Sequence, residues 1–307
     1  MVTIGLPFCN DRRTLAHAIR SVFAQTMTDW QLVLVDDGSS DGSLELAKSV
    51  RDERVRVVSD RQNRGLPSRL NQIAALADSD YLARMDADDL MHPERLACQL
   101  DRLRQKPALD LVDSGLLSID EFDQPTGQRC CHPLNISRRR ILTGHVPVHA
   151  SILARTEWFR ANRYDARFRR AQDLELWCRV LSRRPLAVER LPRPLYFVRE
   201  AVGTTYSKVR ANCGARREIL RRHGRCLVGW PRTQLALATV QLKRLVHWGA
   251  NLCGVHHRLV VCRNRPLSDR ERQAWSAVIA QILRTRVPGL DDCQRQMMLE
   301  AGQSRAA

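Results

Sequence analysis

The chain has 307 residues, 44% hydrophobic and 27% charged, the composition of an ordinary globular protein with one large or two modest domains. It holds no apolar run near the ~18 residues a membrane-spanning helix needs, no C-x-x-C pair among its ten cysteines, and no basic leader before its first apolar segment. A transmembrane span, a regular zinc site, a disulfide framework and a secretory signal are therefore not expected, and reduced cytosolic thiols are the plain reading. The net charge of +17 is uneven: residues 1–110 carry 15 Lys+Arg against 17 Asp+Glu, residues 111–307 carry 35 against 16. Such asymmetry suggests anionic partners, phosphorylated substrates or anionic lipid among them.

In chain order, "VTIGLPF" (2–8) reads as a buried strand, and "CND" offers Asn10 or Asp11 as the cap of a helix carrying Leu15, Ile19, Val22 and Phe23. "QLVLV" (31–35) is a second strand, and "DDGSSDGS" a turn leading into the helix "LELAKSV". "VRVVS" is a third strand, "NRGLPSRLNQIAALA" a loop and helix, "DYLARM" a fourth strand ending in "DADD". "HPERLACQLDRL" is a helix with Pro93 in its first turn. Strands that are continuous apolar runs alternating with helices predict an α/β fold whose sheet is mostly parallel and covered on both faces. Ligands bind such sheets beyond the carboxyl ends of the strands, so the acidic clusters at 36–37 and 86–89 are expected to face one crevice. Further on, "DLVDSGLLSID" suggests a strand, "HASILARTEWFRANR" and "AQDLELWCRVLSR" helices, and "LAVERLPRPLYFVRE" a strand or hairpin. From residue 206 the pattern is helical and basic, with 19 Lys+Arg against 6 Asp+Glu.

The acidic residues carry the chemistry. Asp86, Asp88 and Asp89 are three carboxylates in four residues, and their mutual repulsion calls for a positive charge. A hard divalent cation bound by one or two carboxylates and substrate phosphates supplies it; a capped turn before the next helix is the alternative. Asp36 and Asp37 could accept from a nucleobase or form an Asx turn. Asp173 could act as a general base or cap the helix behind it. Glu175, two residues on, should point elsewhere.

In order, "VTIGLPFCNDRRTLAHAIRSVFAQT", "VLVDDGSSDGS", "NRGLPSRLN", "ARMDADDLMHPERL" and "AQDLELWCR" resemble the family 2 glycosyltransferases of GT-A fold, over roughly residues 2–200. The resemblance implies a donor half (1–110), an acceptor half (111–205) and a basic helical C-terminal region (206–307). It implies a donor site including Pro7, Asp37 at the base, Asp86 at the ribose, and Arg64 and Arg84. Asp88 should bind the metal, Mn²⁺ or Mg²⁺, and Asp173 should be the catalytic base. His149 and Arg199 are further candidates for acceptor or phosphate contacts; a satisfied core histidine and a structural salt bridge are the plainer readings. The donor expected is a UDP-sugar, with dTDP- and GDP-sugars open, and the acceptor a saccharide or lipid-linked saccharide. One departure is Gln172, where the family usually has Glu before the base.

The implied reaction is inverting, metal-dependent sugar transfer to a hydroxyl, in bacterial surface polysaccharide assembly. A sugar-phosphate nucleotidyltransferase is disfavoured because "PFCNDRR" has no glycine after the first strand. A non-catalytic nucleotide-binding or membrane-surface adaptor has only Gln172 in its favour. The basic tail lacks interleaved aromatics, so no nucleic acid is expected. Leu235, Leu242, Leu245, Val246 and Leu252 recur at helical spacing beside Arg232, Lys243 and Arg244. This suggests either a packed helix or attachment to an anionic membrane surface. The expected location is cytoplasmic, with peripheral attachment to the inner face of the plasma membrane left open.

Overall fold

The structure is a computed structural model describing residues 1–200, 206–252 and 264–294. One sheet organises it. Strand β1 (Val2–Phe8) lies between β2 (Trp30–Asp36) and β4 (Tyr81–Arg84), and β3 (Val55–Ser59) flanks β2, all parallel. Helices α1 (Leu15–Phe23), α2 (Ser43–Lys48) and α3 (Leu66–Leu76) connect them. The sheet continues antiparallel from β4 through β8 (Leu153–Arg155) to β6 (Leu111–Ile119); β6 pairs parallel with β9 (Val188–Arg199), which pairs antiparallel with β5 (Leu90–Met91), and the hairpin strand β7 (Pro125–Arg129) pairs antiparallel with β6. The parallel part predicted from apolar runs is thus residues 2–84. The second half is mixed, and no break in the sheet separates the two.

Strands β1 and β2 are almost wholly buried because both their faces are covered, whereas β3, at the edge of the sheet, is half-buried and carries exposed Arg56. Ile4, Leu6, Leu32 and Leu34 pack with α1 and α2, while Val33 and Val35 pack with α3. Helix α4 (Arg95–Gln105) begins two residues after Pro93, which precedes the helix instead of opening its first turn. Helix α1 starts at Leu15 behind Thr14, so neither Asn10 nor Asp11 caps it.

The predicted helix over 149–163 is three pieces: a 3₁₀ turn (His149–Ser151), β8, and α5 (Thr156–Ala161). Ile152, Leu153 and Ala154 are fully buried, and the run fills the gap between β4 and β6. Pairing with two open strand edges outweighs the local helical pattern. Helix α6 (Gln172–Arg183) follows the prediction, and "LAVERLPRPLYFVRE" is one strand, β9. Its prolines are tolerated where the register with β6 slips beside Gly115. A Cβ on Gly115 would stand 2.8 Å from the Pro192 carbonyl oxygen, so only glycine permits this approach.

The C-terminal region is divided between two places. Helix α7 (Tyr206–Ile219), a π turn (Leu220–Gly224), α8 (Arg225–Val228) and α9 (Trp230–Leu252) pack beside α6. Helix α10 (Asp269–Leu283) is held at its start by a capping box of Ser268 and Glu271, and lies against α1 and β7. Its Ile279 and Ile282 share a core with Leu90, Ile119 and Phe197, and Val287 and Leu290 enter the main core. No described helix is long and apolar enough to cross a membrane.

Candidate active site

The parallel register brings the carboxyl ends of β2, β1 and β4 side by side, with Phe8 opposite Asp36 and Gly5 opposite Arg84. The turns leaving those ends carry the acidic residues. Both clusters gather here, linked by the loop after β1. Asp11 in that loop accepts the Cys9 N–H at 2.8 Å, and its pKa is raised by burial and then by Asp41 and Asp86. Sequence reasoning weighed Asp11 only as a helix cap; its place between two acidic turns depends on strand order.

Asp36 and Asp37 have separate tasks. Asp36 accepts the Ser39 N–H at 2.9 Å and the Ser59 hydroxyl at 2.6 Å, closing its own turn. Buried Asp37 accepts the N–H groups of Arg64 (2.7 Å) and Gly65, and the Nε–H of fully buried Arg69 at 2.9 Å. Its Oδ2 takes only the Gly65 N–H at 3.0 Å, so acceptor capacity remains on that atom. The Arg64 guanidinium lies outside, 54% exposed, on Asp60 at 2.7 Å. Pro7 is buried within β1. Arg69 lies within the quoted "NRGLPSRLN" stretch without a role assigned there, because its partners Asp37, Asp60 and the Gln62 carbonyl are 32, 9 and 7 residues away.

Arg84, the last residue of β4, is buried, not solvated. One nitrogen meets Asp86 at 2.5 Å, and its Nε has no hydrogen-bond partner among the described residues. Asp86 donates its N–H to the Tyr196 hydroxyl at 3.0 Å. Asp88 is exposed, with no cationic side chain within hydrogen-bonding distance among the described residues. Desolvation first, then the charges of Asp86 and Asp11, push its pKa up to about 6. Asp89 is buried and accepts the Arg199 N–H at 2.8 Å; burial and its two neighbours hold its pKa well above the usual carboxylate range.

Arg199 is bound on all three nitrogens: to the Asp88 carbonyl (2.9 Å), the Asp120 carbonyl (2.9 Å) and the Asp123 carboxylate (2.6 Å). It clips the acidic turn to β9, as the salt-bridge reading required. His149 packs edge-on against Tyr164 and Trp177, with Nε2 2.8 Å from the Tyr164 hydroxyl. Burial and then Arg84 depress its pKa, so the ring is neutral.

Asp173 stands in the first turn of α6, which starts behind Ala171 in the left-handed conformation (φ 53°). It does not cap the helix. Its carboxylate has no ion-pair partner among the described residues, whereas Glu175 turns inward to Arg179 (2.9 Å) and His223 (3.3 Å). Asp173 lines a groove of about 1080 Å³ that does not include Asp86 or Asp88. Arg84 and Tyr164 line one small cavity, and the charges of both Asp86 and Asp173 act on them.

The donor set fits a hard divalent cation. Asp86, Asp88 and Asp89 each offer an oxygen within 4.8 Å of the others, an all-carboxylate oxygen set of the kind such a cation takes.

Comparison with known proteins agrees. Residues 3–162 match the family described as Glycosyl transferase family 2. The EpsE protein of Bacillus subtilis (strain 168) is 33% identical over 207 residues, covering 65% of this chain and 73% of EpsE. The chondroitin synthase of Escherichia coli is 24% identical over 182 residues, 59% of this chain but only 26% of that longer protein. Among solved structures, S. aureus TarS 1-349 in complex with UDP-GlcNAc superposes with a TM-score of 0.61 at 16% identity, over 92% of this chain and 81% of that one. The mixed α/β fold with its curled central sheet is therefore of GT-A type, and the chain belongs to glycosyl transferase family 2.

Proposed function

We propose that the protein moves one sugar from a nucleoside diphosphate donor to a saccharide hydroxyl with inversion at the anomeric carbon, in the assembly of a surface polysaccharide. The observation that supports this most is the grouping of Asp86, Asp88 and Asp89 at the strand ends, each offering an oxygen within 4.8 Å of the others, together with an Asp173 carboxylate that no ion pair occupies among the described residues. The UDP-GlcNAc and UDP complexes of TarS support a UDP-sugar as donor, and the Escherichia coli relative, a chondroitin synthase, supports a polysaccharide product.

In this reading residues 1–110 bind the donor. The free lone pair of Asp37 accepts from the base, Pro7 and Arg64 border it, and Asp86, oriented by Arg84, accepts from the ribose. Asp88, with Asp86 and Asp89 beside it, would hold Mn²⁺ or Mg²⁺. When bound, that cation offsets the charge of the diphosphate, including the charge that develops as it leaves. Residues 111–205 present the acceptor. Asp173 takes the proton of the attacking hydroxyl as the new C–O bond forms, and the old C–O bond breaks with its electron pair going to the nucleoside diphosphate. Neutral His149 holds Tyr164, and with it the wall between the two sides. Arg199 acts through the acidic turn by positioning it.

Asp173→Asn tests the reading. A general base contributes roughly 10²–10⁴-fold, so the variant should lose at least about 100-fold in turnover of UDP-sugar with acceptor, while its affinity for UDP with Mn²⁺ is unchanged. Turnover by Asp173→Asn at the rate of the unaltered protein would overturn it.

A further inference from the structure

The turn between β6 and β7, residues 120–124, is tied to the acidic cluster although it lies outside it. The turn closes on Asp120. The Asp120 carboxylate accepts the N–H groups of Phe122 (2.9 Å) and Gln124 (2.8 Å), and its carbonyl accepts that of Asp123 (3.2 Å). Phe122 is 74% exposed, so the tip is unpacked. The Asp123 side chain takes no part in closing this turn.

Aspartate is an unusual residue for that place. Its φ is 61°, left-handed backbone where glycine is the default. Its carboxylate is buried, which is unfavourable unless the charge is paired. Both are offset by what the carboxylate holds. One oxygen accepts from Arg199 Nη2 at 2.6 Å, and the other from Nδ1 of half-exposed His17, on α1, at 3.1 Å. A carboxylate only accepts, so Nδ1 carries a proton. Burial raises the Asp123 pKa, but the hydrogen bonds from His17 and Arg199 outweigh it and hold the group below the usual carboxylate range.

The other side of Arg199 is the acidic turn. Its Nε–H donates to the Asp88 carbonyl and its backbone N–H to the Asp89 carboxylate. Among the described residues Asp123 is the one carboxylate on the guanidinium; its remaining partners, the carbonyls of Asp88 and Asp120, are neutral. Without Asp123 that guanidinium would be free to pair with the carboxylate of Asp88, whose carbonyl it already touches, and would compete with any cation for it. A buried ion pair adds little net stability over apolar packing, and its better-attested use is to select one arrangement of its neighbours.

We propose that Asp123, fixed by His17, is a positioning residue for the sugar-transfer site: it holds the Arg199 guanidinium on the carbonyl of Asp88 and off the carboxylate, so that the acidic turn stays available to a divalent cation. This rests on the reading of that turn as the metal and donor site.

The test is thermal shift of the full chain at saturating UDP while Mn²⁺ is varied, with a parallel melt without ligands. Asp123→Gly suits the left-handed backbone, so it removes the carboxylate and keeps the turn. It should raise the Mn²⁺ concentration for half-maximal stabilisation ~10-fold or more, the usual effect of losing a group that orients metal ligands. Adding Arg199→Gln, which removes the competing charge, should lower that concentration again. His17→Leu should raise it, whereas His17→Asn, which keeps an N–H near the place of Nδ1, should not. A merely structural pair would lower the ligand-free melting temperature and leave the Mn²⁺ requirement where it was. The same requirement in Asp123→Gly as in the unaltered protein, or a rise that Arg199→Gln does not relieve, overturns the proposal; should Asp123→Gly not fold, Asp123→Asn decides on the same reading. If UDP stabilises the unaltered protein only with Mn²⁺ and the Asp123 variants match it, the metal site stands and only the role of Asp123 is lost. If Mn²⁺ makes no difference to the unaltered protein, the reading of the turn fails and the proposal with it.

Discussion

Asp88 and Asp89 are neighbours with different surroundings. Asp89 is buried and already bound to the Arg199 backbone, while Asp88 is exposed and makes no ion pair among the described residues. Asp88→Asn should therefore leave the fold intact and raise the Mn²⁺ concentration needed for UDP to stabilise the protein by at least ~10-fold, read by thermal shift. Asp89→Asn should lower the melting temperature even without ligand. The sequence marked the cluster but could not divide it, because the division is made by β9, over 100 residues away. His92 shows the same kind of long-range effect. It lies edge-on to Phe197 and Trp275, and burial followed by Arg193 brings its pKa down to about 4 from 6.5. The folded chain thus refuses a proton that the unfolded chain takes up below pH 6.5. The contribution is complete above 6.5 and is lost as pH falls toward 4, by up to ~3 kcal/mol. Urea midpoints at pH 7 and pH 4.5 should differ less in His92→Gln than in the unaltered protein.

At the scale of elements, the first four strands and their helices are legible because each strand is a short, mainly apolar run ended by a turn signal, and in β1 and β2 local pattern and tertiary burial agree. The segment 149–163 was misread because Ile152, Leu153 and Ala154 are apolar in either geometry; only the open edges of β4 and β6 decide for a strand. Residues 287–291 carry no sequence signal, yet they dock on the first half of the chain. The Pro288 carbonyl accepts the Arg51 N–H at 2.8 Å, and Arg20 pairs with Asp291. Gly289, at φ 79°, sits so close to Ser49 that a Cβ would come 2.0 Å from its carbonyl oxygen. Gly289→Ala should cost about 2 kcal/mol or more in chemical denaturation, combining left-handed strain with that clash. A loss below ~0.5 kcal/mol would mean that this segment does not dock as described.

For the whole molecule, the C-terminal third is not a separable appendage. Ile279, Ile282, Val287 and Leu290 complete cores begun by residues 1–200. Ending the chain after residue 252 uncovers Leu90, Ile119 and Phe197, so that product should aggregate or express insolubly, measured by soluble yield and gel filtration. A monodisperse, active product would contradict this packing. The basic excess of residues 111–307 also acquires a place: Arg139, Arg216, Arg232 and Lys243 line one groove, although three different segments supply them.

By itself the sequence determined the α/β alternation, the acidic turns at strand ends and the family resemblance, since these depend on residues within a few positions of one another. Only the tertiary structure decided which carboxylates are already bonded, that Asp11 joins the acidic cluster, that Arg199 is a clip, and that Asp173 opens on a cationic, apolar groove. Those outcomes follow from strand order and from contacts across as many as 111 residues, as between Arg199 and Asp88, and no local pattern encodes which distant group will neutralise a charge.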